Sequence, residues 1–96
     1  MHWQYLLFDA SDDGQDRGSW EAMASVRAAD LPAVLAEVQA ALAAAERQAP
    51  GPRGPFEDGG VWDSDLQQQT EGEWITVTLT VTGPWNWGEV LFMGTD

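Results

Sequence analysis

Between Asp30 and Gln48 the apolar positions Leu31, Val34, Leu35, Val38, Ala41, Leu42 and Ala45 recur at steps of three and four. That spacing gathers them on one face and predicts an amphipathic helix over Asp30–Gln48. Asp30 is placed to cap the first turn by accepting from an orphan backbone N–H. Pro32 is tolerated because first-turn N–H groups have no helical partner. Arg47 lies near the negative end of the helix dipole, and Pro50-Gly51-Pro52 forbids continuation. Alanines flank the stripe, so the helix is expected to lie close against a flat surface.

The rest of the chain reads as the strands that make that surface. Trp3–Phe8 is an apolar run of strand length, with Trp3, Tyr5 and Leu7 on one side and Leu6 and Phe8 on the other. Asp9–Gly18 is polar, contains two glycines and reads as a loop. In Ser19–Ala28 the small or apolar Trp20, Ala22, Ala24, Val26 and Ala28 alternate with Glu21, Met23, Ser25 and Arg27. The first set is the expected core face. Ala49–Gly60 is a Pro/Gly-rich connector anchored only by Phe56. Glu73–Thr82 is the clearest strand: Ile75, Val77, Leu79 and Val81 alternate with Trp74 and threonines.

Val61–Thr70 is more polar, and its assignment rests on register. Glu71-Gly72 is a candidate two-residue hairpin turn. With Thr70 opposite Glu73, Leu66 falls opposite Val77, Ser64 opposite Leu79 and Trp62 opposite Val81. On the other face Gln67 meets Thr76, Asp65 meets Thr78 and Asp63 meets Thr80. Apolar meets mostly apolar and polar meets polar, which predicts a strand over Trp62–Gln69. In the tail Gly83–Asp96, Pro84 is placed to open a short helix in which Trp85, Glu89 and Phe92 share a face. A fifth strand over Glu89–Met93 is the alternative. The expected fold is α+β in the order β-β-α-β-β: a four-stranded, mainly antiparallel sheet, one helix packed across one face, and a short C-terminal element. Strand orders 2-1-3-4 and 1-2-4-3 both keep every neighbour antiparallel.

Composition narrows the functional classes. The chain has 96 residues, enough for one small domain, and no internal repeat is visible. Sixteen acidic residues face four basic ones, all arginine, for a formal net charge of −12. Nucleic-acid phosphate and anionic membranes repel such a chain, so direct binding to either is not expected. A protein partner with a basic surface fits the charge. The absence of cysteine excludes disulfides, thiolate metal sites and thiol catalysis. The one histidine, His2, stands beside the terminus. No signal peptide is expected and no apolar run is expected to approach membrane-spanning length, which suggests a cytoplasmic protein.

Four patterns are candidates for chemistry. Asp9, Ser11, Asp13 and Gly14 spell D-x-S-x-D-G and resemble the front half of an EF-hand calcium loop. The back half departs from that pattern, because Trp20 occupies the twelfth position and Glu21 comes one place late. An acidic hairpin loop without metal is the expectation. Asp63 and Asp65, two apart in a strand, share a face. Paired carboxylates can do acid–base work, but that needs a cleft which a flat threonine-lined face does not offer. Among six tryptophans, Trp20 and Trp62 are assigned to the core, Trp85 and Trp87 to covering an edge or helix end, and Trp74 to the threonine face. The connector lacks the G-x-x-x-x-G-K-[ST] pattern and the chain has no lysine, so no phosphate cradle is read.

No catalytic residue and no cofactor is therefore assigned, and the chain is not expected to be an enzyme. The first functional reading is a small non-catalytic interaction module that meets a protein partner through Asp63, Asp65, Trp74, Thr76 and Thr78. The second is an inhibitor or immunity-type protein whose carboxylates imitate nucleic-acid phosphate. The third is a carbohydrate-binding module using Trp74, Trp85 or Trp87. An edge-strand homodimer is compatible with the pattern, whereas a face-to-face dimer would bring carboxylates together.

Overall fold

The computed structural model describes residues 3–93; His2 and tail residues 94–96 lie outside them. The chain runs β1 (Phe8–Asp12), β2 (Arg17–Val26), α1 (Leu31–Gln48), β3 (Asp63–Glu71), β4 (Trp74–Pro84) and α2 (Trp85–Phe92). The sheet order is β1-β2-β4-β3, every neighbour antiparallel, so 1-2-4-3 is the order adopted. Each half of the chain is a hairpin followed by a helix, and the halves meet along the β2–β4 seam.

The alternating residues fill the core as their period demands. Val77, Leu79 and Val81 of β4 are fully buried, as is Trp20 of β2. Ala22 and Ala24 supply the low surface that faces the helix layer, and α1 contributes Val34, Val38, Ala41, Ala44 and Ala45. The tail is helical rather than a fifth strand. α2 lays Trp85 against Trp20, ring centroids 5.5 Å apart and stacked, and sets Trp87 edge-on to Trp20 at 6.2 Å. Gly88 is required there, because a Cβ at that position would collide with the Trp20 ring.

Six expectations are corrected. The first strand is not Trp3–Phe8 but Phe8–Asp12, paired from Phe8↔Ala22 to Asp12↔Gly18. Backbone pairing at the sheet edge suits the aspartates, whose side chains stay in water. The hairpin loop shrinks to residues 13–16. The Asp12 carboxylate accepts from Gly14 N at 2.7 Å, and that of Asp13 from Gln15 N at 2.8 Å and Arg17 N at 3.1 Å. Residues 3–7 instead cross α1, where the Glu37 carboxylate accepts from the backbone N–H groups of Gln4, Tyr5 and Leu6.

At the start of α1, Asp30 occupies the N-cap position but makes no side-chain cap hydrogen bond. The chain enters through a 3-10 turn, Ala28–Asp30, which holds Asp30 in helical geometry where its carboxylate cannot turn back. The β3–β4 turn is Gly72-Glu73 rather than Glu71-Gly72, so Leu66 pairs with Leu79 and Asp65 with Thr80. Gly72 takes a φ of 60°, which a Gly-first two-residue turn demands. The slide is by two residues, so every predicted face survives. Pro84 ends β4 as the N-cap of α2 instead of opening the helix. Finally, the helical run Ala28–Gln48, 21 residues, is long and apolar enough to cross a membrane by length and composition, contrary to the expectation. Alanine supplies that apolarity, and one side of the run is buried in the core.

Candidate functional site

The helices lie on one face of the sheet, and the opposite face is open. Register builds that face row by row. Ser11, Ser19, Thr82 and Asp63 form one row across all four strands, and Asp9, Glu21, Thr80 and Asp65 form the next. Met23, Thr78 and Gln67 follow, then Ser25, Thr76 and Gln69, and Trp74 lies beside Glu71 at the far end. With strands about 4.8 Å apart, the Asp9–Asp65 row spans roughly 14 Å and carries three carboxylates.

All five residues singled out for partner binding, Asp63, Asp65, Trp74, Thr76 and Thr78, lie on this face, but not as one cluster. Asp63 pairs with Thr82 and Trp74 with Glu71, which puts them at opposite ends of the hairpin. Asp63 is tethered: its Oδ1 stands 3.3 Å from Arg53 Nε and accepts from its neighbour Ser64 N at 2.8 Å. Asp65 accepts only from the Gln67 side-chain amide, at 3.2 Å, among the described residues. Thr76 is hydrogen-bonded to Ser25, Oγ1 to Oγ 2.8 Å. Trp74 is 49% exposed, and the Arg27 guanidinium lies 5.2 Å from its ring centroid. Arg27 also reaches Glu73 at 3.9 Å, a pair exposed on both sides and worth little.

Two features escape a reading of local pattern. Glu21 sits on the outward face of β2, as alternation requires, yet only the pairings set it between Asp9 and Thr80. Thr80 Oγ1 donates to Glu21 Oε2 at 3.5 Å. The second is a cleft of about 440 Å³ at the Asp63 end, lined among others by Ser11, Asp13, Arg17, Phe56, Asp63 and Thr82. Arg17 is its one cation; its guanidinium stacks on Phe56, 4.3 Å from the centroid, and donates to Val61 O at 3.1 Å. Arg17 and Phe56 lie 39 positions apart, so no local motif could announce the pair.

The calcium candidates do not assemble a loop. Asp9 and Ser11 lie in β1, and the Asp13 carboxylate is turned onto the N–H groups of its own hairpin. Among the described residues, no group of three or more His, Cys, Asp or Glu side chains is disposed to hold a metal ion. Trp85 and Trp87 fold back against the core cluster rather than over a sheet edge or helix end: Trp87 also packs on Trp62, centroids 5.6 Å apart. Of the three tryptophans considered for sugar stacking, Trp74 alone stands on the open face.

Set beside family models, curated proteins and solved structures, the chain matches none of them.

Proposed function

We propose that the protein is a non-catalytic interaction module whose open sheet face receives a basic surface of a protein partner. The observation that carries this reading is the row Asp9, Glu21 and Asp65, which sets three carboxylates across the uncovered face of a chain with net charge −12. Such a row steers a cationic partner and fixes its orientation. Trp74 adds an apolar, half-exposed contact at the far end, and tryptophan is enriched among the residues that contribute most to protein interfaces. The threonines between them offer hydroxyls and little bulk.

The test begins with recovery of a partner from native lysate at low and at high salt, and continues with kinetics on the isolated pair. Asp9→Asn, Glu21→Gln and Asp65→Asn together, which neutralise the row, should slow association and flatten its salt dependence. Trp74→Ala should mainly speed dissociation. If a purified partner binds equally well to all these variants, the open face is not the functional surface.

A further inference from the structure

The outer edge of β3 divides into a closed half and an open half. A two-residue turn makes its flanking pair, Glu71 and Trp74, a hydrogen-bonded one, and such pairs alternate along an antiparallel ladder. Gln69, Gln67, Asp65 and Asp63 therefore spend their backbone groups on β4. Trp62, Ser64, Leu66, Gln68 and Thr70 aim theirs outward. The first two are already engaged: Trp62 O accepts from Gly54 N at 2.8 Å, and Ser64 N and O meet the Asp63 carboxylate and the Arg53 guanidinium. Beyond that point nothing among the described residues covers the edge.

Apart from the charges of Asp65 and Glu71, the open half lacks the usual protections. It holds no proline and no lysine, and its pairing with β4 runs without a bulge from Asp63 to Glu71. Its helix-side residues Leu66, Gln68 and Thr70 are exposed, Leu66 by 43%, because the helix layer stops short of it. On the other side, Asp65 and Glu71 flank Gln67 and Gln69.

We propose that the edge of β3 from Asp65 to Glu71 takes up an extended basic segment of a protein partner as a fifth strand. Backbone bonds to Leu66, Gln68 and Thr70 hold it; arginine or lysine side chains on the open face answer Asp65 and Glu71; an apolar residue on the other face covers Leu66. The charge decides the occupant. A second copy pairing antiparallel over the open half would centre on Gln68 and set Asp65 opposite the partner's Glu71, twice, and like charges directly opposed destabilise a sheet. A basic strand makes the same backbone bonds and turns both repulsions into attractions. This rests on the basic partner proposed above and carries its contact from the open face onto the adjoining edge of β3.

The probe is a synthetic peptide of about ten residues alternating arginine with valine, against the same peptide with glutamate for arginine. Amide exchange on the full chain should show Leu66, Gln68 and Thr70 gaining at least about tenfold protection with the arginine peptide, whereas Gln67 and Gln69 are protected from the start. Gln68→Pro removes an outward N–H, which an edge strand tolerates, and should weaken binding by about tenfold or more without changing the fold. Glu46→Gln, an exposed charge on α1 away from both surfaces, should leave peptide binding unchanged. Equal binding by Gln68→Pro, protection elsewhere, or no binding at about 1 mM peptide overturns the proposal. Should Gln68→Pro not fold, the exchange pattern of the wild type decides. Sensitivity to Asp9 and Glu21 with none to Gln68 sinks the edge and leaves the face reading standing. Loss of the native partner in Gln68→Pro alone does the reverse. A homodimer abolished by Gln68→Pro overturns the choice of occupant.

Discussion

Glu37 is the most exacting place to perturb this fold. It stands in the middle of α1, and its carboxylate is the hub for the segment leading into β1. Oε1 accepts from Tyr5 N at 3.0 Å and Leu6 N at 2.8 Å; Oε2 accepts from Gln4 N at 2.9 Å and more weakly from Tyr5 N at 3.2 Å. A hydrogen bond to a charged group contributes about 1.5–3 kcal/mol net. The Gln4 bond is exposed and counts for little, which leaves two part-buried bonds and an upper range of about 3–6 kcal/mol. One carboxylate serves both, so their energies do not add in full, and Leu6 and Trp3 retain their apolar contacts. Alanine regains a few tenths of a kcal/mol in helix propensity. Glu37→Ala is therefore expected to cost about 2 kcal/mol, or roughly 8–16 °C in Tm for a domain of this size. Glu37→Gln should cost about half to all of that, because one half of its amide presents a donor to N–H donors. Urea denaturation gives the stability, and amide exchange at Tyr5 and Leu6 gives the location. A change under about 0.5 kcal/mol in Glu37→Ala, or unaltered exchange at both amides, would refute the argument.

Two further outcomes are expected. Leu79→Ala should cost about 2–5 kcal/mol because Leu79 is fully buried, while Thr78→Ala on the open face should cost less than about 0.5; equal urea midpoints would overturn the facing of β4. Calcium titrated into the protein should show no saturable binding tighter than about 10⁻⁴ M, and tighter binding lost on Asp13→Ala would contradict the role given to the Asp13 carboxylate.

What was legible in the sequence follows from which interactions are local. The 3.6-residue period of α1 and the two-residue period of β4 are properties of one segment, and both elements came through. The open face was legible for the same reason. The β3–β4 turn is not fixed by pattern, because matching faces is blind to a slide of two; the positive φ that Gly72 supplies at the first turn position decides between registers. β1 is not legible locally because Trp3–Phe8 is the more strand-like run, yet Glu37, more than thirty positions away, holds residues 4–6. A polar stretch became the strand instead, since β2 needed only its backbone. The carboxylate row and the stacking of Arg17 on Phe56 depend on pairings between distant segments, which periodicity does not encode.

The division into two halves has a consequence for how the molecule can be taken apart. Residues up to Gln48 form a hairpin and a helix, residues from Asp63 form another, and the connector between them is exposed for much of its length. Neither half holds a complete core: Trp20 comes from the first, whereas Trp85, Trp87 and Gly88, which enclose it, come from the second. A chain cleaved in the connector should therefore yield two fragments that are each incomplete and mutually templating. Reassembly restores the pairing from Arg17↔Pro84 to Val26↔Ile75 and seats one indole in the other fragment's aromatic socket. The seam makes the protein a candidate for complementation in trans, with a change in the summed tryptophan emission, as Trp20 is enclosed by Trp85 and Trp87, signalling that the halves have found each other.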